Sequence, residues 1–253
     1  CPQAGPKAGY YHQAMIDSDV TVTNAREIYN DHISAHIMSY VLAFARGLHV
    51  YIPRQLQRRW NPGYDTIHLP DSTAAVVGIG GIGGETARLC SEFGITVLGV
   101  DPRATESTPG VSEVHLPEDL GKVLPRADFV IVTVPETPET QGMFGKDQFR
   151  LMRSNAFLIN IGRGATVLLD DLADALDEGE LAGAGLDVFE TEPPLKDNPL
   201  FQLDNVILTP HNAALTLECR KRMAVETCEN IAFYLTNSDR CLLYTSPSPR
   251  DRG

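Results

Sequence analysis

Short apolar runs alternate along the chain with stretches whose apolar residues recur every three or four positions. The runs at 73–79, 96–101, 128–134, 156–161, 183–188 and 205–209 are rich in Val, Ile and Leu and predict strands. Between them, 82–93, 117–124, 146–152 and 170–178 carry helical spacing, and 215–235 predicts a long closing helix. The strands are apolar nearly throughout, as expected where helices cover both faces of a sheet. Strand and helix in alternation predict an α/β fold with a doubly wound parallel sheet. Upstream, 31–60 is mostly helix-forming, with Ile33, Ile37, Met38, Val41, Leu42 and Phe44 spaced at three and four. Pro53 is expected to kink or end that helix, and a loop at Asn61-Pro62-Gly63 follows.

The first strand runs into Gly78-Ile79-Gly80-Gly81-Ile82-Gly83, which opens a helix, and the next strand ends on Asp101. This order of strand, glycine turn, helix and acidic residue is the phosphate-binding fingerprint of a Rossmann domain. Gly78 allows the tight turn, Gly80 lets backbone N–H groups approach a pyrophosphate, and Gly83 lets helix and strand pack closely. The helix N-terminus favours the anion. Asp101 is placed for the adenosine ribose hydroxyls and repels a 2′-phosphate, which favours NAD over NADP, although Arg103 nearby is suited to accept that phosphate.

In open parallel sheets, ligands bind beyond the carboxyl ends of the strands. Three polar residues stand there in the second half: Arg163 after 156–161, Glu192 after 183–188, and His211 after 205–209. An arginine, an acid and a histidine near a nicotinamide suffice for hydride transfer coupled to proton transfer. A lone strand-end histidine or arginine is commonly a capping or surface residue, so the weight rests on the three together.

These residues carry a resemblance to the D-isomer-specific 2-hydroxyacid dehydrogenase family, which includes phosphoglycerate and glyoxylate/hydroxypyruvate dehydrogenases. The matching strings are the glycine turn with Phe93-Gly94 and Asp101, then Val134-Pro135-Glu136-Thr137-Pro138-Glu139-Thr140, then Asn160 to Gly164. Gly185-Leu186-Asp187-Val188-Phe189-Glu190, Glu192-Pro193 and Thr209-Pro210-His211 follow, with Thr23-Asn24-Ala25 and Ala35-His36 upstream. The resemblance implies that His211 is the acid/base, and that Glu192 orients it and favours its protonated form. It implies that Arg163 binds and polarises a 2-oxo acid, for which a guanidinium fork is suited. Asp187 would accept from the nicotinamide carboxamide. Gly81, Ile82, Val134, Pro135, Ile161 and Gly162 would line a cofactor that also meets Arg163 and His211. Ala4-Gly5 is a candidate for holding the substrate carboxylate, with Gly5 the named residue and a plain turn as the other reading. His36 reads as a packing residue of the inter-domain helix. Glu192 separates the chain from formate dehydrogenases, which resemble the family but carry glutamine there.

The implied organisation is a remnant of a partial, discontinuous substrate domain with the inter-domain helix at 1–45, and the NAD-binding domain at 46–215. A returning helix at 216–240 follows. The Ser/Pro string at 241–253 resembles a translated adaptor and is set aside as a non-native tail. The chain begins without Met or a signal pattern and reads as truncated at its start. A net charge of -12 argues against nucleic acid or an anionic membrane as partner. Five cysteines without CxxC spacing suggest neither a disulfide framework nor a metal site, and fit the cytoplasm. The partner expected is a small 2-oxo or 2-hydroxy acid, and the apolar helix at 31–46 suggests a homodimer. Other readings are an NAD-sensing corepressor-like binding protein, a phosphite dehydrogenase, and an NAD-binding fragment without activity.

Overall fold

A computed structural model of the chain describes residues 13–18, 27–103 and 108–236. Gly5, the Thr23-Asn24-Ala25 string and the Ser/Pro string at 241–253 lie outside the described residues. The described residues fall into two compact units, one running Ile33–Ala213 and the other formed by residues on either side of it.

The larger unit is built on seven parallel strands: β1 (Thr73–Val77), β2 (Thr96–Val100), β3 (Glu113–His115), β4 (Phe129–Val132), β5 (Phe157–Asn160), β6 (Gly183–Leu186) and β7 (Val206–Leu208). They lie side by side in the order β3-β2-β1-β4-β5-β6-β7. In β1, β4, β5 and β6 almost every residue is buried, because helices cover both faces. One face sends Ala75, Val77, Val130, Val132, Leu158 and Leu186 into a core shared with α5 (Leu120–Val123), α6 (Lys146–Leu151) and α7 (Leu169–Asp177). On the other, the Phe157 ring stacks on Phe44 at 4.5 Å and on Phe129 at 5.8 Å.

Phe44 belongs to α2 (Asn30–Ala45), one of three helices upstream of the sheet, with α1 (Gln13–Ile16) and α3 (Leu48–Leu56). The break between α2 and α3 falls at Gly47, not at Pro53. Gly47 has φ +69°, and a Cβ there would come within 2.5 Å of the Tyr64 ring. Pro53 sits inside α3, exposed, in a helix that buries no side chain. There the missing N–H removes a single helical bond without disturbing any packing. Ile33, Ile37, Met38, Tyr40, Val41 and Phe44 of α2 are all buried within the chain itself. The surplus apolar face expected at 31–46 is instead on α3, where Leu48, Ile52 and Leu56 are 46%, 53% and 80% exposed, with Trp60 fully exposed beyond them.

α4 (Gly81–Glu92) follows β1 directly. The predicted helix at 117–124 proves to be α5 between two short 3-10 turns, and β3 occupies the sheet edge where no strand was expected. In the smaller unit, α8 (Leu217–Thr236) is tied to the start of α2 by Arg222, whose Nη1 lies 2.9 Å from an Asp31 carboxylate oxygen. Among the described residues, no helix is long and apolar enough to cross a membrane.

Candidate active site

With every strand parallel, all the carboxyl ends open on one edge of the sheet. Strand order reverses between β1 and β4, and that switch point is where such sheets bind ligands. The turn after β1 lies there. Gly78 has φ +95°, and a Cβ on Gly83 would sit 1.9 Å from the Gly78 carbonyl oxygen, so neither position has room for a side chain. Thr133, at the end of β4, donates its hydroxyl to that same carbonyl at 2.6 Å and so joins the two central loops. Gly80 differs: the space where its Cβ would project holds no atom of the described residues within 4 Å. Packing among the described residues therefore does not require glycine at Gly80, whereas a bulky anion approaching the backbone would. The first-turn N–H groups of α4 are those a helix leaves unbonded, and a pyrophosphate there would meet them and the positive end of the helix dipole. The residues present fit a dinucleotide.

Asp101 stands at the end of β2 with only 6% of its surface exposed. Its Oδ2 accepts from the Ile79 N–H at 2.9 Å, which ties it to the glycine turn. Its Oδ1 accepts from the Arg103 N–H at 2.9 Å and from Arg103 Nε at 3.2 Å. Burial alone would raise its pKa, but the hydrogen bonds from Arg103 and Ile79 together hold the carboxyl below its ordinary value. The residue expected to meet a ribose is thus engaged with its own arginine.

At the ends of β5 and β6, Asn160 is fully buried and shapes the arginine loop. Its Nδ2 donates to the Arg163 carbonyl at 3.1 Å, and its Oδ1 accepts from the Gly162 N–H at 3.0 Å. The Arg163 guanidinium is half-buried and donates to the Gly162 carbonyl at 2.7 Å. A Cβ on Gly164 would lie 1.9 Å from the Phe189 carbonyl carbon, so this loop runs backbone against backbone with the one that carries Glu192.

His211 and Glu192 meet directly: His211 Nδ1 is 2.7 Å from Glu192 Oε2. Glu192 Oε1 accepts from the Phe189 N–H at 3.2 Å, so its carboxylate bridges its own loop and the histidine. A carboxylate only accepts, so Nδ1 carries the hydrogen and Nε2 is left to exchange a proton. His211 has φ +51°, an uncommon conformation for a residue other than glycine. Arg163 makes no hydrogen bond to this pair among the described residues. Asp187 takes a part that was not foreseen. It is 1% exposed, and its oxygens accept from Thr209 Oγ1, the Asn212 N–H and the Ala213 N–H at 2.5, 2.9 and 3.0 Å. Through these bonds its carboxylate organises the turn that carries His211. Thr133, Asn160 and Thr209 are polar residues closing apolar strands, the same signal that singled out Arg163 and His211.

The fold, switch point and glycine turn define a dinucleotide-binding Rossmann domain. Residues 38–213 match the NAD-binding domain of the D-isomer specific 2-hydroxyacid dehydrogenases. The chain is 35% identical over 220 residues to the D-3-phosphoglycerate dehydrogenase of Methanocaldococcus jannaschii, covering 87% of this chain and 42% of that one. It is 34% identical over 226 residues to the glyoxylate reductase of Thermofilum pendens, covering 84% and 67%. Among solved structures it resembles a D-isomer specific 2-hydroxyacid dehydrogenase of Xanthobacter autotrophicus Py2 in complex with NADPH and MES. That match has a TM-score of 0.80 and 29% identity, and covers 91% of this chain and 93% of that one. The chain belongs to the D-isomer specific 2-hydroxyacid dehydrogenase family. It spans less than half the length of the first relative and about two thirds of the second.

Proposed function

We propose that the protein interconverts a D-2-hydroxy acid and its 2-oxo acid with NAD(H), using His211 as the acid/base. The observation that carries this reading is the His211–Glu192 pair, at 2.7 Å, on the sheet edge that also holds the glycine turn. When bound, the nicotinamide supplies or accepts the hydride. In reduction, His211 gives the proton on Nε2 to the carbonyl oxygen; in oxidation Nε2 takes it back. Glu192 holds Nδ1–H and offsets the positive charge of the imidazolium. Arg163 neutralises the substrate carboxylate and polarises the carbonyl, a task for which its planar fork of donors is suited. Asp101 supports NAD over NADP through the adenosine ribose.

The test is NADH consumption by the full-length gene product with glyoxylate, hydroxypyruvate, pyruvate and 2-oxoisocaproate in turn. NADH binding without turnover of any 2-oxo acid would sink the proposal. We also infer a homodimer, as the family resemblance implies, and the exposed stripe Leu48, Ile52, Leu56 and Trp60 supports α3 as the pairing element.

A further inference from the structure

Behind the turn that carries His211 lies a cluster of polar side chains that proton transfer at Nε2 does not itself require. Tyr40 is 2% exposed and Asp187 1%. Tyr40 Oη lies 2.5 Å from Thr209 Oγ1, which lies 2.5 Å from Asp187 Oδ1. His36 Nε2 is 3.2 Å from Tyr40 Oη and 3.1 Å from Thr209 Oγ1. The direction of every bond follows from one end. A carboxylate only accepts, so Thr209 donates its single hydroxyl hydrogen to Asp187. Tyr40 then has to donate to Thr209, whose hydrogen is already committed. Both hydroxyl oxygens face His36 as acceptors, so His36 is the Nε2–H tautomer. Burial pushes the Tyr40 phenol up and keeps it a donor; burial also pulls His36 down, with the Asp187 charge opposing.

The chain therefore runs from α2 to Asp187, and Asp187 also accepts from Asn212 and Ala213. Thr209 and the Asn212-Ala213 pair flank Pro210-His211 on both sides. Held at φ +51°, His211 occupies a backbone region that persists only where its surroundings impose it. β6 makes room for the tyrosine: a Cβ on Gly185 would come within 2.9 Å of the Tyr40 ring.

We propose that Tyr40 and His36 are positioning residues for His211, acting through Thr209 and Asp187 to hold the turn that presents the imidazole. This rests on the reading of His211 as the acid/base, and the experiment separates the two. Tyr40→Phe keeps the ring over Gly185 and removes only the hydroxyl; Thr209→Val removes the link to Asp187. In both, amide hydrogen exchange at Asn212 and Ala213 is expected to quicken by about tenfold or more, the scale of one lost hydrogen bond. Amides of α7 should be unaffected, and the His211 ring signals in the NMR spectrum should shift or broaden. In turnover, kcat should fall by a similar factor while KM for NADH holds, a split that general loosening of the fold would not produce. Exchange at Asn212 and Ala213 and His211 signals matching the parent protein would overturn the proposal. Faster exchange in a protein that turns over no 2-oxo acid would support the positioning role and remove the catalytic reading instead.

Discussion

A histidine whose Nδ1 is engaged by a carboxylate has only Nε2 left to exchange a proton, and this limits what substitutions at the pair can do. On the proposed reading, His211→Ala removes the acid/base and should lower kcat by about a hundred- to ten-thousand-fold, the usual worth of such a group. NADH affinity should be nearly unchanged, because the glycine turn sits at the far loops of the edge. Glu192→Gln keeps an oxygen for Nδ1–H but no charge to offset the imidazolium, so its kcat should fall between the two. Fluorescence titration with NADH beside steady-state rates checks both, and equal losses of binding and rate would contradict the assignment. Asp101 has two tasks, which calls for a separate comparison. It restrains the Ile79 N–H within the glycine turn, and it engages Arg103. Asp101→Ala should therefore weaken NADH binding, and should also free the Arg103 guanidinium to meet a 2′-phosphate. The ratio of NADPH to NADH affinity should rise, while Arg103→Ala should lower it. Dissociation constants for both cofactors in both variants measure this, and a ratio unmoved by either change would exclude the pair from cofactor choice.

At the scale of elements, the central strands were legible because both their faces are buried, which leaves an unbroken apolar run such as Phe129–Val132. β3 was not, because Glu113–His115 is three residues long and only partly buried, so neither length nor pattern marks it. The α2–α3 break was misplaced for a different reason. Gly47 is constrained by the Tyr64 ring, and no local spacing reveals a contact with a residue beyond the helix. The glycine turn could be read residue by residue, since its requirements are local and steric. Gly83→Ala would drive a Cβ into the Gly78 carbonyl. It should cost about 1–3 kcal/mol of stability and weaken NADH binding in step, read by urea unfolding and by titration. A fully stable variant with parental affinity would show that helix and strand are free to part. Tyr40, and the bonds by which Asp187 holds the His211 turn, escaped a sequence reading because their partners are brought together only by the sheet. For α3, the exposure of Leu48, Ile52 and Leu56 is what supports the proposed pairing, and periodicity alone did not single that helix out. Ile52→Asp and Leu56→Asp should leave the fold intact and turn a dimer into a monomer by light scattering, and a monomeric parent protein would count against the pairing.

Across the whole molecule, the charge balance is acidic, yet the acid sensitivity expected near neutrality rests on two half-buried histidines of the larger unit. His49 lies edge-on to the rings of Phe44 and Tyr64, at 5.1 Å from each, and its Nδ1 is buried with no hydrogen-bond partner among the described residues. Burial pulls its pKa below the ordinary value, with the nearby Ala43 carbonyl only partly opposing, and His36 is lowered by burial against the Asp187 charge. For both groups the folded state binds protons less readily than the unfolded chain does. Stability therefore rises with pH through this window. It is fully present above the unfolded-state value of about 6.5 and is lost as the pH falls below it, until the folded pKa is reached. Among the shifted carboxylates, Asp31, Asp101, Glu113, Asp119 and Glu139 are lowered, so they add to the loss only in a more acidic range, whereas burial raises Glu226, whose protonation opposes that loss. Urea midpoints should drop between about pH 7.5 and pH 5.5, where a histidine titrates and a carboxylate does not. His49→Phe retains an aromatic ring against Phe44, Tyr64 and Phe157 and removes one titrating group. In that variant the midpoint should fall less over the same interval, leaving the share that belongs to His36. A drop as large as the parent's would show that His49 reaches water in the folded state and takes up its proton there.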